Sequence, residues 1–589
     1  MTKVRYFEKQ DSEEQIHSNL NPIVSKWFKQ KFKNFTEAQK YSLLAIKNRK
    51  NILVSSPTGS GKTLSAFASI LSYLIDLSER KELEDKVYAV YISPLKALSS
   101  DVYFNLIKPL EEMEEMCCKK FGIRISIRTG DTSAAERAKM YRKTPHILIT
   151  TPETMAILLT TSKFIEKMKA VEFCVVDEIH ALDNKRGTYL SLTLERLNEV
   201  SVIWPVKIGL SATIEPLEEV AKFLVGNADD REVEIANVQF TKKIDISVLT
   251  PVNDLIEDRN ISHSMYDLMN KLIKEHKTTL IFTNTRSATE RVVDNLKEKF
   301  PTEYGEDIAA HHSSLSKTHR FNIEERLRDG KLKVVVCSTS LELGIDIGYI
   351  DLVIMLGSPK SSARAIQRLG RAGHKLHDTI KGRFLVMDRD DLVECCVIQK
   401  EIIERKINRV VFPKNCLDVL SQQIFGMAIY KIWKVNEIID LIRKSYCYQN
   451  LTKEDFFSVI SYLSGEYGDE LEKSHVYGKI WYDKEKKEIG KRGKLARVIY
   501  LTNIGTIPEE SYIEVKLAPS GEHIGYIDEG FLERMKKGDV FVLGGERYMY
   551  LYTRGMNLYV RGSVDRPPTR NSWRSIYTSP NIQVHSASV

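Results

Sequence analysis

Between residues 51 and 387, short β-branched apolar runs alternate with longer stretches whose apolar positions recur at helical spacing. The runs cover residues 51–55, 87–92, 146–151, 173–178 and 207–212. After a charged stretch at 229–234 they resume at 278–283, 307–312, 333–338 and 352–357. Apolar strands alternating with helices belong to parallel sheets covered on both faces. The interruption predicts two such sheets, joined by a linker near 229–250.

Past about residue 402 the pattern changes. Residues 417–430, 435–445 and 455–463 read as three helices, the last opened by a capping box between Thr452 and Asp455. A strand-like run follows at 477–482, and three helices with a hairpin predict a winged helix. From about Arg497 onward the pattern is β. Residues 540–543, Gly544-Gly545 and 547–552 read as strand, turn and strand, with another run at 557–561 after a second glycine turn. The expected fold class is α/β, with parallel-sheet lobes at 1–240 and 241–405, a winged helix at 406–475 and a β-rich region at 476–589.

The 589 residues exceed what one hydrophobic core serves, in keeping with three or four domains. A net charge of +8 permits a polyanionic partner without demanding one. The eight cysteines include no C-x-x-C spacing, so a zinc ribbon or iron–sulfur cluster has no ligand set. Cys174 and Cys337 lie in apolar runs and read as buried thiols, which suit a reducing cytosol. No apolar run approaches bilayer-spanning length, and residues 1–20 lack the apolar stretch of a secretory signal. Together these features predict a cytoplasmic protein with no membrane partner.

The strongest local signal is Ser55-Ser-Pro-Thr-Gly-Ser-Gly-Lys-Thr63, set between a strand and a helix. Its Gly59 and Gly61 let successive backbone N–H groups face a phosphate at the helix N-terminus. The nucleotide-binding set is Pro57, Thr58, Gly59, Ser60, Gly61, Lys62 and Thr63. Lys62 is placed to reach the β- and γ-phosphates of ATP, and the Thr63 hydroxyl to hold Mg²⁺. The strict pattern wants Gly at position 56, where this chain has Ser.

Val175-Val-Asp-Glu-Ile-His180 ends an apolar strand in two adjacent acids. Asp177 is expected to hold Mg²⁺ through water, and Glu178 to orient and deprotonate the attacking water. One such carboxylate could be a helix cap; a pair downstream of a phosphate loop is harder to explain that way. Upstream, Phe35-Thr-Glu-Ala-Gln39 resembles a base-reading segment with Gln39 as its amide, and Gln39 reads equally as a solvated helix residue. Three further runs offer hydroxyls, helix N-termini or basic groups suited to a nucleic-acid backbone. They contain Lys96 (residues 93–98), Thr129 (128–132) and Thr151 (150–153).

Ser211-Ala-Thr213 closes the next strand. The second lobe supplies Phe282-Thr-Asn-Thr-Arg286, with Arg286 a nucleic-acid candidate. It also supplies Ser338-Thr-Ser-Leu-Glu-Leu-Gly-Ile-Asp346, with Gly344 and Asp346 expected near the nucleotide. Gln367-Arg-Leu-Gly-Arg-Ala-Gly-His374 provides two arginines for charge on the γ-phosphoryl, Arg371 first and Arg368 second; the bland alternative is a solvated basic helix face. Paired His311 and His312 invite a metal reading, but strand alternation points them to opposite faces and no third ligand lies nearby.

Taken together these motifs resemble superfamily 2 helicases of the DExH type. Arg128-Thr-Gly-Asp-Thr-Ser133, Ser340-Leu-Glu-Leu-Gly-Ile-Asp-Ile-Gly348 and Gly370-Arg-Ala-Gly-His374 resemble the Lhr (large helicase-related) family in particular. The resemblance runs from about Trp27 to Trp573. It implies RecA-like lobes, in which Gln39 pairs with adenine, Ser211-Ala-Thr213 links hydrolysis to motion between lobes, and a small residue such as Ser56 is commonplace. In many relatives an Arg stands where this chain has His374.

The resemblance further implies a monomeric, ATP-dependent motor that moves 3′-to-5′ along single-stranded DNA, displaces paired DNA or RNA, and serves DNA repair. RNA or a DNA/RNA hybrid is a further expected partner. Trp573, in Pro568-Thr-Arg-Asn-Ser-Trp573, matches the family's tryptophan that stacks on the tracking strand; its alternative is to cover a sheet edge. Family members continue well past that tryptophan, whereas this sequence stops sixteen residues later, which leaves hydrolysis expected and strand separation in question. A second functional reading stays open: an ATP-switched RNA-binding or annealing factor that remodels without processive unwinding.

Overall fold

The computed structural model describes residues 2–569 apart from 58, 95–101, 213, 239–242, 259, 343–347, 373–378, 405, 407–408, 467–477, 503, 506–511, 529–530, 533–534 and 555–556. The chain divides into two compact units, Met1–Thr241 with Ile407–Pro508, and Lys242–Lys406 with Glu509–Val589. No helix among the described residues is long and apolar enough to cross a membrane.

The first unit is built on eight strands: β1 (Lys3–Tyr6), β2 (Ile52–Ser55), β3 (Ala89–Ile92), β4 (Ile125–Arg128), β5 (Ile147–Thr150), β6 (Phe173–Val176), β7 (Val206–Ser211) and β8 (Glu232–Asn237). Their order is β1-β8-β2-β7-β6-β3-β5-β4, and every pairing is parallel. The central strands are buried throughout, as near-continuous apolar runs require. One face packs on the helices Glu37–Lys47 and Lys62–Glu79. The other packs on the helix Lys185–Val200, and this core continues without a break into residues of the winged helix.

The winged helix is set on that second face by apolar stacking and buried polar pairing. The rings of Phe223 and Phe412 stack with centroids 4.1 Å apart. Buried Arg196 donates to Gln423 Oε1 at 2.7 Å, while Gln423 Nε2 donates to the Tyr189 carbonyl at 3.0 Å. The helices Leu417–Tyr430, Val435–Lys444 and Lys453–Ser464 match the expected three. Thr452 caps the last by accepting from Asp455 N at 3.0 Å, without the reciprocal bond of a capping box. A three-stranded antiparallel sheet of β15 (Trp433–Lys434), β16 (Ile480–Asp483) and β17 (Glu488–Lys491) ties residues 480–491 to these helices, although the sequence pattern had set them in the following region. The basic residues after 483 form the turn of that hairpin.

The second unit holds a parallel sheet of β9 (Ile244–Leu249), β10 (Thr279–Phe282), β11 (Ile308–His311), β12 (Val334–Cys337), β13 (Leu352–Leu356) and β14 (Ile380–Leu385), in the order β11-β12-β10-β13-β14-β9. It also holds a five-stranded sheet of β18 (Tyr512–Leu517), β19 (His523–Asp528), β20 (Val540–Leu543), β21 (Glu546–Arg554) and β22 (Asn557–Arg561). The turn between β20 and β21 uses Gly544 and Gly545, both at positive φ (70° and 79°). Such a two-residue turn suits hairpin twist and exposes its N–H groups. Both donate to the buried carboxylate of Glu290, Gly545 at 2.6 Å, and His312 Nε2 lies 2.6 Å from the same group. His311 instead meets Ser340 at 2.7 Å and Glu324 at 3.2 Å, so the two histidines face different helices and loops.

Two expectations need correction. The stretch at 229–250 is no mere linker, since it contains β8 and β9, each pairing with a sheet of its own unit. Alternating burial along β8, with charged residues outward, hides a strand in a charged run. Residues after Arg497 do not begin as β structure either: Ala496–Thr502 is a helix. Ala496 and Tyr500, four apart, are its buried positions, whereas Leu495, Val498, Ile499 and Leu501 are exposed and blur the helical period.

Candidate ATP and nucleic-acid site

Parallel strands present their C-terminal ends on one side of a sheet, where α/β proteins place their ligands. In the first unit β2, β7 and β6 lie side by side, with Ser55 opposite Ser211 and Val176 opposite Gly209. Three loops therefore leave one edge together: the phosphate loop, the Ser211-Ala212 strand end and the Asp177-Glu178 pair.

The phosphate loop curls as its glycines permit, with Gly59 at φ 77° and Gly61 at φ 78°. Ser56 takes part in the curl, because its hydroxyl bonds that of Ser60 across the loop at 2.7 Å. The Thr36 hydroxyl braces the same loop by donating to the Ser60 carbonyl at 2.6 Å. Lys62 opens its helix almost fully buried, with Nζ 3.4 Å from the Ser56 carbonyl, and Thr63 follows at the second helical position.

Gln39 is also buried and is no solvated helix residue. Its Oε1 accepts from Thr36 N at 2.9 Å, and a Cβ at Gly61 would come within 2.8 Å of its Nε2. The amide thus sits against the loop with one of its two polar atoms already engaged.

Asp177 and Glu178 are both at least nine-tenths buried. Burial and the neighbouring Glu178 push the Asp177 carboxyl up to about 7, against the opposing pull of the Lys62 ammonium. The Tyr91 hydroxyl donates to Asp177 Oδ2, and Glu178 N donates to Oδ1 at 2.8 Å. Two adjacent buried carboxylates with one lysine between them leave negative charge to be balanced. Oxygen donors of this kind are the chemistry that a hard divalent cation such as Mg²⁺ prefers.

His180 completes the loop. Its Nδ1 accepts from Ala212 N at 3.1 Å, so a neutral ring carries its proton on Nε2, which lies 3.3 Å from Glu178 Oε2. The imidazole therefore stands between the acidic pair and the end of β7. His180 lay in plain view in the acidic motif, but only the folded register reveals that Ala212 is its partner.

The runs suited to nucleic acid lie along the same sheet edge. The Thr129 hydroxyl accepts from Asp131 N at 3.3 Å, and Thr151 caps the helix Pro152–Leu158, accepting from Thr154 N at 3.4 Å. Both threonines are buried, and their hydroxyls shape the turn and the helix start. Arg186, unremarked in the sequence, donates to both oxygens of Glu153 at 2.7 and 3.1 Å and to the Pro94 carbonyl at 2.9 Å.

In the second unit Arg286 begins the helix Arg286–Lys299 and donates to Ser314 Oγ at 3.1 Å. Arg368 and Arg371 are both buried, which excludes a solvated basic helix face. The Arg368 Nε donates to Glu342 at 3.2 Å, and its guanidinium lies 5.2 Å from the centre of the Phe282 ring. Arg371 follows directly after the helix Ser362–Leu369 and its cap Gly370, its N–H donating to the Arg368 carbonyl at 3.1 Å. Thr58, Lys96, Gly344, Asp346 and Trp573 lie outside the described residues.

Comparison with known proteins fits this architecture piece by piece. Residues 36–223 match the DEAD/DEAH box helicase family, residues 263–375 the helicase conserved C-terminal domain, and residues 400–569 the winged helix domain of large helicase-related protein. The ATP-dependent helicase Lhr-Core of Methanothermobacter thermautotrophicus is 54% identical over 95% of this chain and 66% of its own. The protein of the same description from Methanocaldococcus jannaschii is 49% identical over 98% of this chain and 67% of its own. This chain thus spans about two thirds of the length of these relatives. Among solved structures, Mycobacterium smegmatis helicase Lhr bound to ssDNA and AMP-PNP is 33% identical, with a TM-score of 0.76 over 84% of this chain and 63% of that one. The DUF1998 helicase MrfA bound to DNA and AMPPNP shares the fold at 19% identity, with a TM-score of 0.72.

Proposed function

Since the chain belongs to the Lhr family of large helicase-related proteins, we propose that it is an ATP-hydrolysing motor that tracks 3′-to-5′ on single-stranded DNA and displaces paired DNA or RNA. One observation carries the reading: Lys62, the Asp177-Glu178 pair and the end of β7 meet at one sheet edge, with His180 standing between Glu178 and Ala212. A binding protein has no need of a buried acidic pair set beside a phosphate loop and a neighbouring strand end.

ATP would enter with its phosphates on the N–H groups of residues 57–63 and its base beside Gln39. Lys62 would leave the Ser56 carbonyl for the β- and γ-phosphates. Mg²⁺, when held by Thr63 and Asp177, supplies charge neutralisation on the phosphate oxygens. Glu178 orients the attacking water and takes its proton, and Arg371 stabilises charge on the γ-phosphoryl. Gly344 and Asp346 are assigned to the nucleotide, and Lys96, Thr129, Thr151, Arg286 and Trp573 to the strand. His180, bonded to Ala212, would pass the state of Glu178 to β7.

DNA is the proposed track because the 33%-identical relative is bound to ssDNA, and a monomer at work in cytoplasmic DNA repair is the corresponding setting. The test compares ATPase stimulation by single-stranded DNA and RNA, followed by unwinding of 3′-tailed and 5′-tailed duplexes. Stimulation by DNA and unwinding from the 3′ tail are expected. Stimulation by RNA alone, with no unwinding, would replace this reading by an RNA-remodelling one.

A further inference from the structure

The first turn of the helix Lys185–Val200 touches four different parts of the first unit through four consecutive residues. Lys185 pairs with Asp418 of the winged helix at 2.7 Å. Arg186 grips Glu153 and the Pro94 carbonyl. Gly187 lies so close to the acidic loop that a Cβ there would stand 1.8 Å from the Leu182 carbonyl. Thr188 donates to the Pro413 carbonyl at 2.7 Å.

Of these, Arg186 has the most specific geometry. Its planar fork meets both Glu153 oxygens, and its remaining nitrogen reaches the chain just after β3. Burial alone would raise the Glu153 carboxyl, yet the Arg186 guanidinium holds it below the usual carboxylate range. Glu153 sits in the first turn of the helix capped by Thr151, and Pro94 lies in the run that carries Lys96. Behind Arg186, Gly187 rests on the Ile179–Leu182 turn that follows Glu178 directly. One rigid helical turn thus spans from the hydrolytic acid to two loops assigned to the strand.

We infer that Arg186 is a positioning residue that couples nucleic-acid binding at the loops of Pro94 and Glu153 to hydrolysis at Glu178. The inference rests on the motor reading above. A strand that shifts either loop moves the guanidinium that both share, and with it the turn on which the acidic loop packs. Lysine cannot replace this link, because a single ammonium cannot hold a carboxylate in fork geometry and a second loop's carbonyl together.

The experiment measures ATP turnover without nucleic acid and with saturating single-stranded DNA, at matched folded fraction by thermal melting. In Arg186→Gln, unstimulated turnover should stay within about twofold of wild type. DNA-stimulated turnover should fall roughly three- to thirtyfold, the range of coupling energies carried by linking residues. Arg186→Lys, which keeps the charge should the Gln variant fold poorly, should recover only part of the stimulation. Glu153→Gln added to Arg186→Gln should lower stimulation no further than the more severe single variant, since the pair acts as one link. Full stimulation in both Arg186 variants would overturn the inference. So would multiplicative effects of the two substitutions, or a parallel fall of unstimulated and stimulated turnover. A wild type that no nucleic acid stimulates would instead overturn the motor reading, and the inference with it.

Discussion

Glu178 adopts a left-handed backbone conformation, φ 47° and ψ 43°, that non-glycine residues seldom occupy. Such strain persists only where surroundings over-determine it, and here the buried carboxylate lies 3.3 Å from the His180 ring. Replacing the acid by its amide keeps the shape and removes the base. Glu178→Gln should therefore bind ATP normally and hydrolyse it roughly 10²–10⁴-fold more slowly, the usual worth of a positioned base. Single-turnover kinetics check this, and near-normal turnover would remove Glu178 from the role. Of the two motif arginines, Arg368 pairs with buried Glu342, and Arg371 remains the first choice for the γ-phosphoryl. Arg371→Ala should leave ATP affinity nearly intact and lower saturated turnover by about 10³-fold or more. Lost affinity with preserved turnover would make Arg371 a ground-state binder.

At the scale of elements, Gly187 shows how a helix start is adjusted to the turn that follows Glu178. The close approach to Leu182 admits no side chain, so Gly187→Ala must push the Ile179–Leu182 turn outward. Overpacking of this kind costs roughly 1–3 kcal/mol, and both the melting temperature and ATP turnover should drop. An unchanged melting temperature would show that the turn yields freely. On β7, Lys207 is buried opposite Cys174, and burial lowers its ammonium below the ordinary lysine value. A folded value below the unfolded one means that the unfolded chain binds the proton more tightly, so this lysine destabilises the fold at neutral pH. Lys207→Met should raise the melting temperature near pH 7. The gain should shrink as pH rises from the folded value towards the unfolded one, where the ionisation penalty ends. A gain that is constant with pH would assign it to packing alone.

For the whole molecule, the chain visits its two units in alternation. The winged helix returns to the first parallel sheet, and the β-rich region returns to the second. Each lobe thus carries an appended domain packed against it. Trp573 tests the motor reading. Everything assigned to hydrolysis lies elsewhere, so Trp573→Ala should retain DNA-stimulated ATPase. If the indole stacks on the track, its loss removes roughly 1–3 kcal/mol of grip at one base, and unwinding per ATP should fall well below the wild-type ratio. An unchanged ratio at matched folded fraction would make the tryptophan a packing residue.

Local signals carried much of this. β-branched runs between helical periods announced both parallel sheets, since a strand buried on both faces must be apolar along its length. The glycine-rich loop, the acidic pair and the winged-helix helices were equally legible, because each depends on residues close together in the chain. The strands at one end of the first sheet were not: β8 carries Glu232 and Glu234 among its buried positions and reads as a charged stretch, and the edge strand β1 was missed altogether. The helix Ala496–Thr502 was hidden by its exposed apolar residues. Only tertiary structure could pair His180 with Ala212, Arg186 with Glu153 and Pro94, or Glu290 with the Gly544-Gly545 turn, and each of these bonds crosses 30 residues or more. Spacing along a chain specifies which chemistry a loop can present, whereas the partner across the sheet edge depends on strand order, which no local pattern encodes.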